Sequence, residues 1–138
     1  MKRKASGLPG GLKKTKQREY VLDTLEKAGK PISAAEIYAT ILKDGHSVSL
    51  STVYRILYAL QNKEAVIKTT IMDSDTSLYE LNRSTHRHYA YCVDCRKAVA
   101  MDACPIEKFL PGLDEAGFEV IGHKMEVYGH CSKCALNK

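Results

Sequence analysis

Two Cys-x-x-Cys pairs, Cys92/Cys95 and Cys131/Cys134, constrain this chain more than any other feature. Two intervening residues let both sulfurs of a pair face one point, and two such pairs supply four thiolates at about 2.3 Å around a tetrahedral zinc. A closed shell of four cysteines leaves no position open for a substrate. The predicted Zn2+ is therefore structural, tying the C-terminal strand to an earlier one, and the metal-free segment is expected to fold poorly. A thioredoxin-like redox pair is the alternative, which the duplication disfavours. The fifth cysteine, Cys104, has no partner at this spacing and reads as a small buried residue. An odd cysteine count, with no secretory signal and no apolar run of spanning length, points to a reducing cytoplasm and away from a membrane.

At 138 residues the chain can hold one ordinary domain or two small ones, and a small one needs a staple or a partner. Residues 1–60 carry eleven Lys and Arg against five acids, and the remainder ten against eleven, so the net +5 is N-terminal. Such polarity suits a polyanion bound at one end, or else a solvated basic tail.

Residues 1–12 have no periodic pattern and read as a flexible basic arm; a winged-helix domain is expected over 13–82. Val21, Leu22, Leu25 and Ala28 recur at helical spacing from Thr15 to Ala28, closed by Gly29 and Pro31. Ser33-Ala34-Ala35-Glu36 is a capping box opening a second helix with Ile37, Ile41 and Leu42 as its buried stripe and Gly45 as its stop. A third helix over Ser51 to Asn62 buries Val53, Ile56, Leu57 and Leu60. That leaves Ser51, Thr52, Tyr54, Arg55 and Tyr58 outward, a set able to reach phosphates and base edges. Two β-prone segments, Val66 to Met72 and Ser77 to Leu81, flank the turn cluster Asp73-Ser74-Asp75-Thr76. Three helices and a hairpin make a winged helix-turn-helix, with Lys13, Lys14, Lys16 and Arg18 joining the third helix as candidate DNA contacts. A purely structural three-helix bundle is the plainer alternative.

Residues 83–85 read as a hinge, and 86–138 as a small α/β dimerisation domain. Its expected strands are Tyr89 to Val93, Ala98 to Met101 and Glu119 to Tyr128, with a helix from Pro105 to Ala116 stopped by Gly117. The fold class is thus α+β. The thin core of the second domain calls for pairing with another copy. His86 and His88 share a face of an extended segment, His123 lies late, and Glu107 sits in the helix between. Three imidazoles and a carboxylate form a competent shell for Zn2+, Fe2+, Mn2+ or nickel. Histidine pairs on strands also occur as plain surface residues; the distal histidine and the acid favour a ligand set.

The motifs Thr15-x-Gln17-Arg18, Ser33-Ala34-x-Glu36-Ile37-Tyr38, Ser51-Thr52-Val53-Tyr54-Arg55-x-Leu57 and Leu78-Tyr79-Glu80 run in order along the chain. They continue through the His-rich segment into Cys92-x-x-Cys95, then from Gly117-Phe118 and His123 to Tyr128-Gly129-x-Cys131-x-x-Cys134. Together they resemble the ferric uptake regulator family over nearly everything after the arm. The resemblance implies a homodimeric, metal-dependent repressor on palindromic operator DNA, not an enzyme. By position, it implies structural zinc at Cys92, Cys95, Cys131 and Cys134, and a regulatory divalent metal at His86, His88, Glu107 and His123. A further interdomain site common in the family falls here on Pro31, Glu80, Tyr89 and Ala100. Only Glu80 keeps a ligand, so that site is expected to be absent or rebuilt, with Asp73 and Asp75 as conceivable substitutes. Peroxide sensing is accordingly not expected; a zinc-sensing member of the same family stays open as the alternative, although Asn82 stands near the position where zinc-sensing relatives often add a cysteine. A small zinc hydrolase using Glu107 as base, or a zinc-stapled protein adaptor, are the readings from other classes.

Overall fold

The computed structural model describes residues 12–13, 15–71, 76–83 and 87–136. The basic arm through Gly11, Lys14, the turn residues Asp73 and Asp75, and His86 lie outside the described residues. The chain divides into two compact units, Met1–Thr85 and His86–Lys138.

In the first unit, helix α1 spans Lys16–Ala28, capped by the Thr15 hydroxyl accepting from the Arg18 amide at 3.2 Å. Gly29 ends it in the left-handed region at φ 64°, where a side chain would strain the backbone. Helix α2 spans Ala34–Lys43 behind the full capping box: Ser33 Oγ accepts from the Glu36 amide at 3.1 Å, and the Ser33 amide donates back to Glu36 Oε1 at 3.4 Å. Helix α3 spans Leu50–Asn62, with Ser49 as cap. Strands β2, Val66–Thr70, and β3, Ser77–Leu81, pair antiparallel as the wing. A two-residue strand that periodicity could not reveal, β1 at Ile32–Ser33, pairs with the other edge of β3, giving the order β1-β3-β2.

Val21, Leu22 and Leu25 of α1, Ile37 and Ile41 of α2, and Val53, Ile56, Leu57 and Leu60 of α3 form one buried cluster under the sheet. Leu42, expected in the α2 stripe, is 44% exposed. It lies about 100° round the helix from Ile41, beyond the edge of the stripe that Ile37 and Ile41 set.

The second unit is a three-stranded sheet of order β5-β4-β6, from β4 at Tyr89–Cys92, β5 at Ala98–Ala100 and β6 at Val127–Gly129. The expected strand from Glu119 is thereby cut to its last residues, because β4 offers an edge only at Ala90, Tyr91 and Cys92, which pair in parallel with Val127, Tyr128 and Gly129. Residues 118–126 have no strand partner among the described residues. The expected single helix is a 3-10 run, Pro105–Phe109, followed by α4 at Leu110–Glu115, with Gly117 at φ 78° beyond it. A last helix, α5 at Ser132–Leu136, was not anticipated and carries Cys134. The buried apolar residues of this unit are Tyr89, Tyr91, Cys92 and Ala98, while Phe109, Phe118, Ile121, Val127 and Tyr128 are exposed. Among the described residues, no helix is long and apolar enough to cross a membrane.

Candidate metal centres and nucleic-acid interface

Parallel pairing of β4 with β6 puts the ends of both strands at the same edge of the sheet, with Cys92 opposite Gly129. Each strand runs straight into a Cys-x-x-Cys turn, so the two turns meet. Arg96 closes the first in the left-handed region at φ 67°, its amide donating to the Cys92 carbonyl at 2.9 Å. Helix α5 forms the second. His130 Nδ1 lies 2.7 Å from Asp94 Oδ2, joining one turn to the other beside the sulfurs. The sulfurs of Cys92, Cys95, Cys131 and Cys134 all fall within 4.8 Å of one another. Cys95 Sγ and Cys131 Sγ are 3.8 Å apart, and a tetrahedron with Zn–S arms of about 2.3 Å has edges of about 3.8 Å.

The electrostatics of this group favour a cation. Amides of Cys95 and Cys131 hold the Cys92 thiol down to about 6, and the Cys134 amide lowers Cys131. The Cys131 side chain, followed by burial, pushes Cys134 up to about 12. Four sulfurs packed this closely cannot all be thiolates without a positive charge between them, and zinc supplies that charge.

A second group lies towards the other end of β4. His88, 7% exposed, faces His123 with 2.9 Å between their Nε2 atoms, and Cys104 Sγ is 3.3 Å from His123 Nε2. The three donor atoms lie within 4.8 Å of one another. Four residues of strand separate His88 from Cys92, about 13 Å, so the two groups are distinct. Glu107 is exposed on the 3-10 run and is not part of this cluster. Cys104, expected to be merely a small buried residue, is half-buried and turned towards an imidazole. Its position just ahead of the element carrying Glu107 was the one sequence signal for it. Of the positions that hold the family's interdomain ligands, Tyr89 and Ala100 are cross-strand partners here.

In the first unit, α3 presents Ser51, Tyr54, Arg55 and Tyr58 to solvent, Tyr58 being 67% exposed. Arg55 Nη2 donates to Thr52 Oγ1 at 3.1 Å, which braces the guanidinium over the first turn of the helix. Two hollows flank this surface. Thr15, Gln17, Arg18, Thr52 and Arg55 line a polar one between the starts of α1 and α3; Tyr54, Arg55, Tyr58, Gln61, Lys68 and Tyr79 line the other, between α3 and the wing. Lys13 and Lys16 are exposed, and Arg18 donates to the Lys13 carbonyl at 2.6 Å. Gln17, Gln61, Lys68 and Tyr79 were missed by sequence reasoning, since only the fold brings them into these hollows beside α3.

A winged helix joined to a cysteine-clasped sheet unit narrows the relationship, and sequence comparison decides it. A sequence model described as "Ferric uptake regulator family" matches residues 9–128. The chain belongs to the ferric uptake regulator family. These are metal-responsive transcription regulators. The ferric uptake regulation protein of Campylobacter upsaliensis is 34% identical over 128 residues, covering 91% of this chain and 81% of that one. The crystal structure of the Vibrio cholerae ferric uptake regulator superposes with a TM-score of 0.77 at 27% identity, covering 88% and 93% of the two chains. That of Helicobacter pylori, described as having three functional metal binding sites, gives 0.75 at 28% identity, covering 91% and 83%. The family places the α3 surface and the donor clusters of this chain in a single kind of protein, a regulator that couples metal to DNA.

Proposed function

We propose that this protein is a repressor that binds palindromic operator DNA as a homodimer when its C-terminal unit carries a divalent metal, and thereby controls metal-uptake genes. The observation that supports this best is the separation of chemistries within one family member. Hydroxyls, tyrosines and a guanidinium are exposed on α3 of one unit, and among the described residues the two metal-donor clusters lie in the other. Cys92, Cys95, Cys131 and Cys134 would hold structural zinc. The set carried over from the family is His86, His88, Glu107 and His123; His88 and His123, which are in contact, anchor the regulatory metal, while Glu107 is exposed outside their cluster. The exposed Phe109, Phe118, Ile121 and Tyr128 supply apolar area for a second copy. A dimer sets its two reading helices about 34 Å apart for successive major grooves, so a modest change in the second unit suffices to gate binding. A bound cation would tie residue 88 to the irregular stretch carrying His123.

Gel retardation of a palindromic duplex, with and without added zinc, manganese or ferrous iron, tests this. Metal is expected to tighten binding by roughly 5–150-fold, a coupling of about 1–3 kcal/mol. The His88→Ala/His123→Ala double variant should lose that response; an unchanged response would remove the sensing role from these residues. DNA contacts are expected from Lys13, Lys14, Lys16, Arg18, Ser51, Thr52, Tyr54, Arg55 and Tyr58. Lys13→Ala should weaken specific and random duplexes alike and lower the salt slope by about 0.9. Arg55→Ala should cost about 1–3 kcal/mol of discrimination between them. Equal effects of the two variants on both duplexes would refute that division of labour.

A further inference from the structure

Building on the reading of a regulatory metal in the C-terminal unit, we infer that its site is a mixed nitrogen–sulfur centre. The Cys104 thiolate joins His88 and His123, and this donor set selects a zinc-class ion over manganese or ferrous iron.

Three facts carry the assignment. Cys104 is the residue ahead of the 3-10 run, in extended backbone at φ −89° and ψ 111°, and its side chain makes no cap hydrogen bond to that run. Its sulfur lies instead 3.3 Å from His123 Nε2. The opposite imidazole, His88, is nearly fully buried, and its Nε2 meets the same atom at 2.9 Å. Two imidazole nitrogens and a sulfur thus converge from three separate segments of the unit, whereas the nearby carboxylate of Glu107 is exposed and stands apart from the cluster.

The spacing suits zinc after a small adjustment. With Zn–N at about 2.05 Å and Zn–S at about 2.3 Å, tetrahedral edges are about 3.3 Å between nitrogens and about 3.6 Å between nitrogen and sulfur. The observed contacts need to open by only a few tenths of an ångström. A water molecule completes four-coordination in this arrangement. Replacing an oxygen donor by a thiolate moves the site away from the hard ions. Manganese favours carboxylate and carbonyl oxygens, while zinc takes imidazole and thiolate together. The competing account is an imidazole–imidazole hydrogen bond with an idle thiol beside it.

Cobalt(II) distinguishes the two in the full-length protein. The four-cysteine site is first filled with one equivalent of zinc, and one equivalent of cobalt(II) is then added. The expected spectrum has a near-ultraviolet thiolate-to-cobalt charge-transfer band and the intense visible bands of tetrahedral cobalt. Cys104→Ser and Cys104→Ala should lose the charge-transfer band. Their zinc affinity at this site should fall by at least about 100-fold, the upper end of what losing only an outer-shell partner costs. Their affinity for manganese should stay unchanged. A weak octahedral spectrum that depends on His123 but not on Cys104 would overturn the inference while leaving a regulatory metal in place. Failure to bind any second equivalent would overturn both. A charge-transfer band that survives in Cys104→Ser would come from the four-cysteine site and would also overturn the inference. Absence of the charge-transfer band from the wild-type spectrum overturns the inference even if the variants fold poorly.

Discussion

Stripping the protein with a strong chelator under reducing conditions should unfold residues 86–138 while residues 15–81 stay folded. Among its described residues the second unit buries only Tyr89, Tyr91, Cys92 and Ala98 as apolar residues, and two of its strands are three residues long. At about 1.5–3 kcal/mol per large buried side chain, such a core cannot offset the entropy of ordering some fifty residues. A structural zinc in small metallo-domains contributes about 10–16 kcal/mol of folding free energy, several times what burying any one side chain contributes. Metal binding requires the thiols to give up protons, so acid should release the ion. Amide hydrogen exchange on the intact chain is the measurement. Protection should vanish at Tyr89 to Cys92 and Val127 to Gly129 on chelation, yet persist in α1 and α3, and return when zinc is restored. Equal protection with and without metal would mean that the cysteine cluster does not hold this unit together.

The contrast between the units also explains what was legible in the sequence. The winged helix could be read because its signals are local: caps at Thr15 and Ser33, and a 3.6-residue period at Val53, Ile56, Leu57 and Leu60. What failed there was non-local. The strand at Ile32–Ser33 exists only because β3 offers it an edge, and no two-residue pattern announces that. In the second unit the four cysteines were legible because the spacing within each turn is local, and parallel register does the rest. A long strand was expected over residues 119–128, yet among the described residues only Val127–Gly129 pairs with another strand. Cys104 was opaque for the same reason: its neighbour His123 is nineteen residues away, and only tertiary structure sets the two 3.3 Å apart.

Adjacent residues on α3 should give opposite phenotypes, which tests whether the helix has one face for the core and one for DNA. Leu57 is fully buried among Val21, Leu25, Ile37 and Ile41. Leu57→Ala removes those contacts and leaves a cavity, and is expected to cost about 2–5 kcal/mol. At about 4–8 °C per kcal/mol for a unit of this size, its thermal midpoint should fall by roughly 8–40 °C. Tyr58, one residue on and about 100° round the helix, is 67% exposed. Tyr58→Ala should change stability by no more than about 0.5 kcal/mol, because it vacates no packed space. Its effect should fall on operator affinity, since the side chain lines the hollow between α3 and the wing with Arg55 and Lys68. Thermal melts and operator titrations of both variants, carried out in saturating zinc, separate the two roles. If Tyr58→Ala destabilised the unit as much as Leu57→Ala, or left operator affinity untouched, the exposed face of α3 would not be the surface that reads DNA.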